Sequence, residues 1–237
     1  MSFFRLILQE YGILILKGVG VTLLLSIVGT LLGLVIALFL GSIQSLNASL
    51  FETNGKKTIR KMAQTCIHIY VTIFRGTPMI VQAVIFYYSF YKMGIHWTPI
   101  VAGLFTVTLN TSAYLTEVVR GGIQSVQNDQ TEAGLSIGMT SFQTFFYIRL
   151  PQALKNAMAS IGNELIVNIK DTSVLSVIMI VDLYNACKIA GSKYSLFVEP
   201  MTIAAILYLG LTLFFSFLLR KIEKRIGAPT KALTSSN

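Results

Sequence analysis

The amino-acid sequence predicts an all-α, polytopic membrane protein with about five transmembrane helices. The chain of 237 residues is 54% apolar and only 12% charged, whereas about a quarter of the residues in an average soluble domain are charged. No charged side chain occurs in residues 18–51 or in residues 200–219. Each of these runs meets the roughly 20 residues that a helix needs to cross a bilayer.

The predicted spans follow from the apolar segments of the chain, which are residues 18–42, 63–91, 98–119, 157–181 and 198–219. The first segment is too long for the apolar core of a signal peptide, so it is interpreted as the first span. The second segment is interrupted by Arg75, Gly76, Thr77 and Pro78. Because proline cannot donate to the helical hydrogen-bond ladder, we expect a kink or a break there.

The basic residues predict the orientation of these spans. The formal net charge of +9 is compatible with nucleic-acid binding, but the Lys and Arg residues punctuate hydrophobic blocks and do not cluster on one polar surface. Twelve of them lie in one set of connections and five in the other. Since basic connections stay in the cytoplasm, we expect the N-terminus outside and the C-terminus inside, and no nucleic-acid partner.

The sequence contains no pattern typical of catalysis or metal binding. Cys66 and Cys187 lie far apart and lack metal-ligand spacing, and His68 and His96 have no partners at such spacing. A phosphate-binding GxxxxGK[ST] loop is absent from the sequence as well. We therefore expect no catalytic residues, no metal and no cofactor in this chain.

Residues 121–156 are predicted to form the longest cytoplasmic connection. Residues 133–148 carry no charge, but they contain several hydroxyl and amide side chains and two glycines, Gly134 and Gly138. This composition favours two short helices over a membrane span. We expect Ser141 to cap the second helix and Pro151 to mark its end.

This connection resembles the EAA loop of ATP-binding-cassette importer permeases, in which EAA is followed by three residues, glycine, nine residues and then I-x-L-P. The corresponding residues here are Glu132, Ala133, Gly134, Gly138, Ile148, Leu150 and Pro151. The only departure is Gly134 at the place of the second alanine. Four further blocks are similar to the polar amino-acid uptake family within those permeases: RGTP at 75–78, RGGIQSV at 120–126, LPQAL at 150–154 and GNELIVNIKDTSVLSV at 162–177.

The resemblance implies a single permease domain over residues 1–237, with the type I importer permease fold, in the bacterial plasma (inner) membrane. It implies an ATPase-coupling role for Glu132, Ala133, Gly134, Gly138, Leu150 and Pro151, although a plain surface hairpin remains an alternative. The implied partners are a second permease copy in a homodimer or heterodimer, a dimer of cytoplasmic subunits that bind ATP, and an extracytoplasmic solute-binding protein. A secondary transporter or an ion channel that uses intramembrane Glu, Lys and Asp residues is the alternative function.

The fourth predicted span is unusually polar, and its residues are the main candidates for cargo binding. Charges at the centre of a bilayer are costly, so these side chains must face protein or water. At about 100° per residue, Glu164, Asn168 and Asp171 share one stripe, while Asn163 and Lys170 share another. Ser173 is a further candidate for hydrogen bonding to the cargo.

Two interpretations of these charges remain open from the sequence. Glu164 and Asp171 can accept the ammonium group of an amino acid or a cationic side chain, and Lys170 can meet its carboxylate. Lys170 can instead neutralise one of the acids in a structural ion pair. Glu164 favours cationic amino acids as cargo, but glutamine stays open.

Neighbouring spans supply the lesser candidates. Thr77 and Gln82 lie beside the Pro78 interruption, where freed backbone groups can line a cavity. Asn110, Tyr114 and Glu117 recur at helical spacing in the third span. Thr77 and Tyr114 are included in the predicted cargo site, but hydrogen bonding between helices is the favoured interpretation for this whole group.

Overall fold

The computed structural model describes residues 3–46 and 54–227, and within them the chain is helical and contains no strand. The helices are α1 (Phe3–Gln44), α2 (Asn54–Gly76), α3 (Met79–Lys92), α4 (Pro99–Gln124), α5 (Asn128–Ser136), α6 (Ser141–Thr144), α7 (Leu150–Asp171), α8 (Leu183–Ser192) and α9 (Val198–Ile226). A π-helical turn, Phe145–Arg149, joins α6 to α7, and a 3-10 helix, Thr172–Ile178, continues α7.

The helices confirm the predicted membrane architecture. By length and hydropathy α1 and α9 each qualify as a span, and two bent pairs raise the number to four if each pair is one span. Helix α4 holds the third predicted segment and is less apolar, but its 26 residues extend about 39 Å at 1.5 Å per residue. This length exceeds the roughly 30 Å of the hydrocarbon core.

Two predicted segments differ in extent from the helices that form. Helix α1 begins at Phe3, well before residue 18, because the scattered polar residues of its first turns do not interrupt helical periodicity. The fourth segment does not continue as one α-helix to residue 181. It tightens into the 3-10 helix after Asp171, and Met179 then adopts a left-handed conformation with φ of 67°.

The predicted break at Pro78 is present and is sharp. Helices α2 and α3 meet at an angle of 107°, and the side-chain amide of Gln82 donates to the carbonyl oxygens of Phe74 and Thr77 at 2.9 and 3.0 Å. Asn110 of α4 donates to Gln82 Oε1 at 3.0 Å. Two backbone acceptors at the break, the carbonyl oxygens of Phe74 and Thr77, therefore find partners within the protein. Asn110 bonds between helices as predicted.

A line of small residues on α1 allows this helix to lie directly against α4 and α8. A Cβ atom at Gly29, Gly33 or Gly41 would press on Val107, Thr111 or Val119 of α4, and a Cβ at Gly18 would approach the carbonyl oxygen of Asp182 to 2.8 Å. The line consists of these glycines and the other small, buried residues between them: Gly18, Thr22, Ser26, Gly29, Thr30, Gly33, Ala37 and Gly41. Small residues let helix backbones approach closely, which is the main source of packing energy between helices in lipid.

A buried side-chain amide ties three helices together. Asn168 Nδ2 of α7 donates to Thr30 Oγ1 of α1 and to Thr111 Oγ1 of α4, both at 2.8 Å. All three residues are buried. The relative position of α1, α4 and α7 is therefore set by polar bonds as well as by close packing.

The contact at Gly18 makes a direct prediction for stability. Gly18→Ala places a methyl group against the backbone of Asp182, and overpacking of this kind costs roughly 1–3 kcal/mol. Gly20→Ala is the matched control, because no heavy atom lies within 4 Å of a Cβ there. Thermal unfolding of the purified protein in detergent should show a lower midpoint for Gly18→Ala alone, and equal midpoints for the two variants would contradict the packing described.

Candidate functional site

A cavity of about 390 Å³ opens at the bend between α2 and α3. Helices α4 and α7 close it from the other side. Its lining consists of Arg75, Gly76, Thr77, Pro78, Met79, Asn110, Tyr114, Glu164, Val167, Asn168 and Asp171. We call it the cargo cavity, because four of the seven candidate cargo-binding residues line it.

Four of the seven predicted cargo-binding residues line this cavity, namely Thr77, Tyr114, Glu164 and Asp171. Glu164 and Asp171 reach it from the α7 stripe that they share with Asn168, as the helical spacing predicts. Thr77 and Tyr114 come from the bend and from α4. The structure thus brings together side chains that lie almost a hundred residues apart in sequence.

Three predicted residues lie elsewhere. Asn163 and Lys170, on the second stripe of α7, are exposed, and Ser173 is half-buried in the 3-10 helix; none of them lines the cargo cavity. Within the described ranges Lys170 makes no ion pair with Glu164 or Asp171. Lys170 nonetheless lies near enough to Asp171 to act on its charge, so neutralisation of Asp171 by Lys170 stays a prediction.

Arg75 is the cavity residue that the sequence analysis did not assign to the site. It is the last basic residue of α2, and its guanidinium lies 5.3 Å from the centre of the Tyr114 ring. Arg75 and Asp171 are both close enough to Glu164 to act on its charge. A lone arginine inside an apolar segment, three residues before the break at Pro78, was the signal in the sequence. The cavity lining therefore combines one cation with two carboxylates.

The predicted pair of short helices is also present, but its cap differs from the prediction. Helix α5 ends before Gly138, whose φ of 86° reverses the chain. The N-cap of α6 is Thr140 and not Ser141: Gln143 N donates to Thr140 Oγ1 at 3.2 Å, and Thr140 N donates to Gln143 Oε1 at 2.8 Å. This reciprocal capping box satisfies two free donors and outcompetes a single cap at Ser141.

Gly134, the departure from the EAA pattern, is buried where α5 meets α6. A Cβ at Gly134 would lie 2.9 Å from Thr144 Cγ2 and 3.1 Å from Ile148 Cδ1. Thr144 is itself fully buried. Glycine is therefore not merely tolerated at this position, since the threonine opposite occupies the space that an alanine methyl would need.

Pro151 does not end the second helix, in contrast to the prediction. The π-helical turn Phe145–Arg149 leads into α7, and Pro151 lies in the first turn of α7, where a missing N–H is easily accommodated. Gln152 Nε2 donates to the carbonyl oxygen of Ile148 at 3.1 Å.

The other residues with a predicted coupling role differ in exposure. Glu132, Ala133 and Pro151 are exposed, and Leu150 is half-buried.

Comparison with protein families matches residues 55–228 to the inner membrane component of binding-protein-dependent transport systems. The putative glutamine transport system permease of Rickettsia bellii (strain RML369-C) is 36% identical over 179 residues, which cover 75% of this chain and 80% of that protein. The glutamine transport system permease of Escherichia coli (strain K12) is 34% identical over 162 residues, covering 67% and 73%.

Solved structures show the same fold. A crystal structure of an amino acid ABC transporter with histidines superposes with a TM-score of 0.78 at 33% identity, covering 92% of this chain and 96% of that one. The MetNI methionine ABC transporter in an inward-facing conformation superposes with a TM-score of 0.72 at 19% identity, covering 90% and 96%, and supports the fold alone. The matched family and its curated relatives together show that this chain is a multi-pass inner-membrane protein that belongs to the family of membrane components of binding-protein-dependent transport systems.

Proposed function

We propose that this chain is the permease subunit of an ATP-driven importer that carries cationic amino acids by alternating access. Relatives named as glutamine transport permeases and a structural neighbour described as an amino acid ABC transporter support amino acids as the cargo class. The observation that carries the finer proposal is the charge pattern of the cargo cavity, whose lining contains Arg75, Glu164 and Asp171, with Arg75 close enough to Glu164 to act on its charge.

The three charges fit a cationic amino acid group by group. Arg75 binds the α-carboxylate, and Glu164 and Asp171 bind the α-ammonium and the cationic side chain. Charged groups in a site of low dielectric need partners of opposite charge, and this cargo leaves none of the three unpaired. Thr77 and Tyr114, which the sequence analysis includes in the cargo site, line the same cavity.

Glutamine is the second candidate cargo, and the names of the relatives favour it. A neutral side chain would leave one carboxylate of the cavity without a cation among the described residues that line it. The cavity charges therefore favour the cationic cargo over glutamine. The family match counts against a secondary transporter or a channel. The α5–α6 hairpin counts against them too, since neither class of protein requires a hairpin that docks to an ATPase.

The α5–α6 hairpin is proposed to couple the permease to ATP hydrolysis on a separate subunit dimer. Ile137, Phe142 and Tyr147 of the hairpin region are 78%, 70% and 75% exposed. Apolar side chains concentrated on one short hairpin are typical of a docking surface. The rigid turn at Gly138 and the capping box at Thr140 let the hairpin transmit rigid-body motion to α7. Glu132 is exposed beside them for charge-assisted bonds to the ATPase subunit.

The proposed orientation places the N-terminus outside and the hairpin in the cytoplasm. Phe39 near the end of α1, Leu46 just after it, Phe142 of the hairpin and Arg149 of the π-helical turn line one cavity and thus lie at the same end of the bundle. Arg60 donates to the carbonyl oxygen of Leu46 at that end. The basic start of α2 therefore accompanies the hairpin, as expected of a cytoplasmic face. A solute-binding protein and a second permease copy complete the proposed complex.

Glu164→Gln tests the cargo assignment. Removing one carboxylate leaves a cationic side chain without its partner, so we expect uptake of labelled L-arginine into cells or proteoliposomes to fall at least tenfold, which corresponds to about 1.4 kcal/mol. Uptake of L-glutamine, measured in parallel, should change less than threefold. Equal loss for both amino acids would contradict a role for Glu164 in recognising the cargo side chain.

Substitutions in the hairpin test coupling. Gly138→Ala forces a side chain into a left-handed conformation at a cost of roughly 1–2 kcal/mol, and Glu132→Gln removes the exposed carboxylate. We expect both to weaken co-purification of the ATPase subunit and to lower uptake and transport-linked ATP hydrolysis. Gly20→Ala in α1 is the control. If all three readouts match those of the control, the hairpin is not the coupling element.

A further inference from the structure

Two more cavities lie nearer than the cargo cavity to the hairpin end of the bundle. The first, the exit groove, has a volume of about 530 Å³ and lies between α4 and α7, with Glu117, Gly121, Ser125, Asn156 and Ser160 among its lining residues. The second, the side cavity, has a volume of about 420 Å³ and is lined by Gln44, Gln64, His68, Glu117 and Arg120. Glu117 lines both.

The cargo cavity and the exit groove lie end to end because α4 and α7 run antiparallel. On α4, Tyr114 lines the cargo cavity and Glu117, three residues on, lines the exit groove. On α7, Glu164 lines the cargo cavity and Ser160, four residues back, lines the exit groove. One helical turn thus separates the two cavities on both helices. Polar side chains continue the lining as far as Ser125 and Asn156.

Among the residues that the structure describes, Glu117 is the one carboxylate that lines the exit groove. Its contacts differ from the sequence-based expectation. The expected hydrogen bond to another helix is absent among the described residues. Its recorded partner is Arg120 of its own helix, with Glu117 Oε2 2.6 Å from Arg120 Nη2. The side chain of Glu117 is 25% exposed and that of Arg120 is 35% exposed. The pair therefore joins no helices, and both groups are accessible from the cavities.

The two adjacent glycines of α4 show which side of the helix faces open space. A Cβ at Gly122 would lie 2.7 Å from the carbonyl oxygen of Ala153, so Gly122 packs against α7. A Cβ at Gly121 would have no heavy atom within 4 Å. Gly121 therefore leaves the exit groove wide at the level just beyond Glu117.

We propose that Glu117 and Arg120 form a second, transient cargo-binding site on the route from the cargo cavity to the cytoplasm. The cationic group of the amino acid replaces Arg120 at Glu117, and the freed guanidinium of Arg120 takes the carboxylate of the cargo. Every charge keeps a partner during this exchange, which avoids the cost of an unpaired ion in a poorly hydrated groove. The proposal rests on the proposed function, since it needs a cargo that carries both charges.

The first test separates binding from transport in the complete complex of permease, ATPase subunit and solute-binding protein, reconstituted in liposomes. For Glu117→Gln we expect equilibrium binding of labelled L-arginine to the complex within twofold of wild type and ATP-driven uptake at least tenfold lower. Glu199→Gln at the start of α9, which lines none of these cavities, is the matched control and should retain uptake. Uptake by Glu117→Gln within twofold of wild type would overturn the proposal.

The second test exchanges the two charges. The double variant Glu117→Arg with Arg120→Glu restores an ion pair on α4 but moves the carboxylate away from the exit groove. We expect uptake to stay at least tenfold below wild type. Full recovery would show that the pair only stabilises α4 and would overturn the proposal.

The third test is steric and does not depend on the charged pair. Gly121→Leu fills the exit groove, whereas Gly121→Ala barely narrows it, and both residues are good helix formers. We expect Gly121→Leu to lower uptake at least tenfold with unchanged L-arginine binding, and Gly121→Ala to transport normally. Equal uptake by the two variants would overturn the route. If size-exclusion chromatography shows that a Glu117 variant does not assemble, the comparison of the two Gly121 variants is the decisive test.

These outcomes are distinguishable from failure of the proposed function. If Glu164→Gln leaves L-arginine uptake intact, the assignment of the cargo cavity fails whatever Glu117 does. If Glu164→Gln abolishes selective uptake while Glu117→Gln and Gly121→Leu transport normally, the cargo cavity stands and the second site falls.

Discussion

The amide of Asn168 is the interaction on which the cargo cavity depends. It donates to Thr30 and Thr111 at 2.8 Å and so binds α7 to α1 and α4 at the depth of the cavity that it also lines. In hydrocarbon no water can replace these partners. The same helix face carries Glu164 and Asp171, so the bonds that hold α7 in place also hold the two carboxylates toward the cavity. The proposed recognition of the cargo and the packing of α7 therefore depend on the same stripe of this helix.

The cavity beside Asn168 depends on close packing between helices on one side and on a broken helix on the other. The small residues of α1 bring α4 near enough for Thr30 and Thr111 to reach the same amide, and Gly18 brings the turn before α8 against α1. The break at Pro78 has the opposite effect, because it turns α3 away from α2 by 107° and leaves Arg75 and Thr77 at the edge of the cavity. Gln82 and Asn110 satisfy the freed carbonyl groups. The protein thus opens a polar cavity in a membrane segment while side-chain amides bind the carbonyl groups of Phe74 and Thr77 at the break.

Helical periodicity predicted much of this arrangement, and tertiary contacts account for the rest. The shared face of Glu164, Asn168 and Asp171 follows from 3.6 residues per turn, and the break follows from the chemistry of proline. Arg75 was missed because its place opposite Glu164 depends on the angle of the bend, which local sequence does not encode. Thr140 was missed as a cap because Gln143 completes a capping box that favours it over Ser141. Glu117 was expected to bond to another helix, but the partner that it meets is one turn along its own helix.

The central claim is that a cationic amino acid lies between Arg75 and the carboxylates of Glu164 and Asp171. Cryo-electron microscopy of the complete complex in lipid nanodiscs, with saturating L-arginine, tests it most directly. We expect density for one amino acid in the cargo cavity, with its carboxylate at Arg75 and its guanidinium at Glu164 or Asp171. An empty cargo cavity at saturation, or an amino acid bound without contact to any of these three side chains, would contradict the claim.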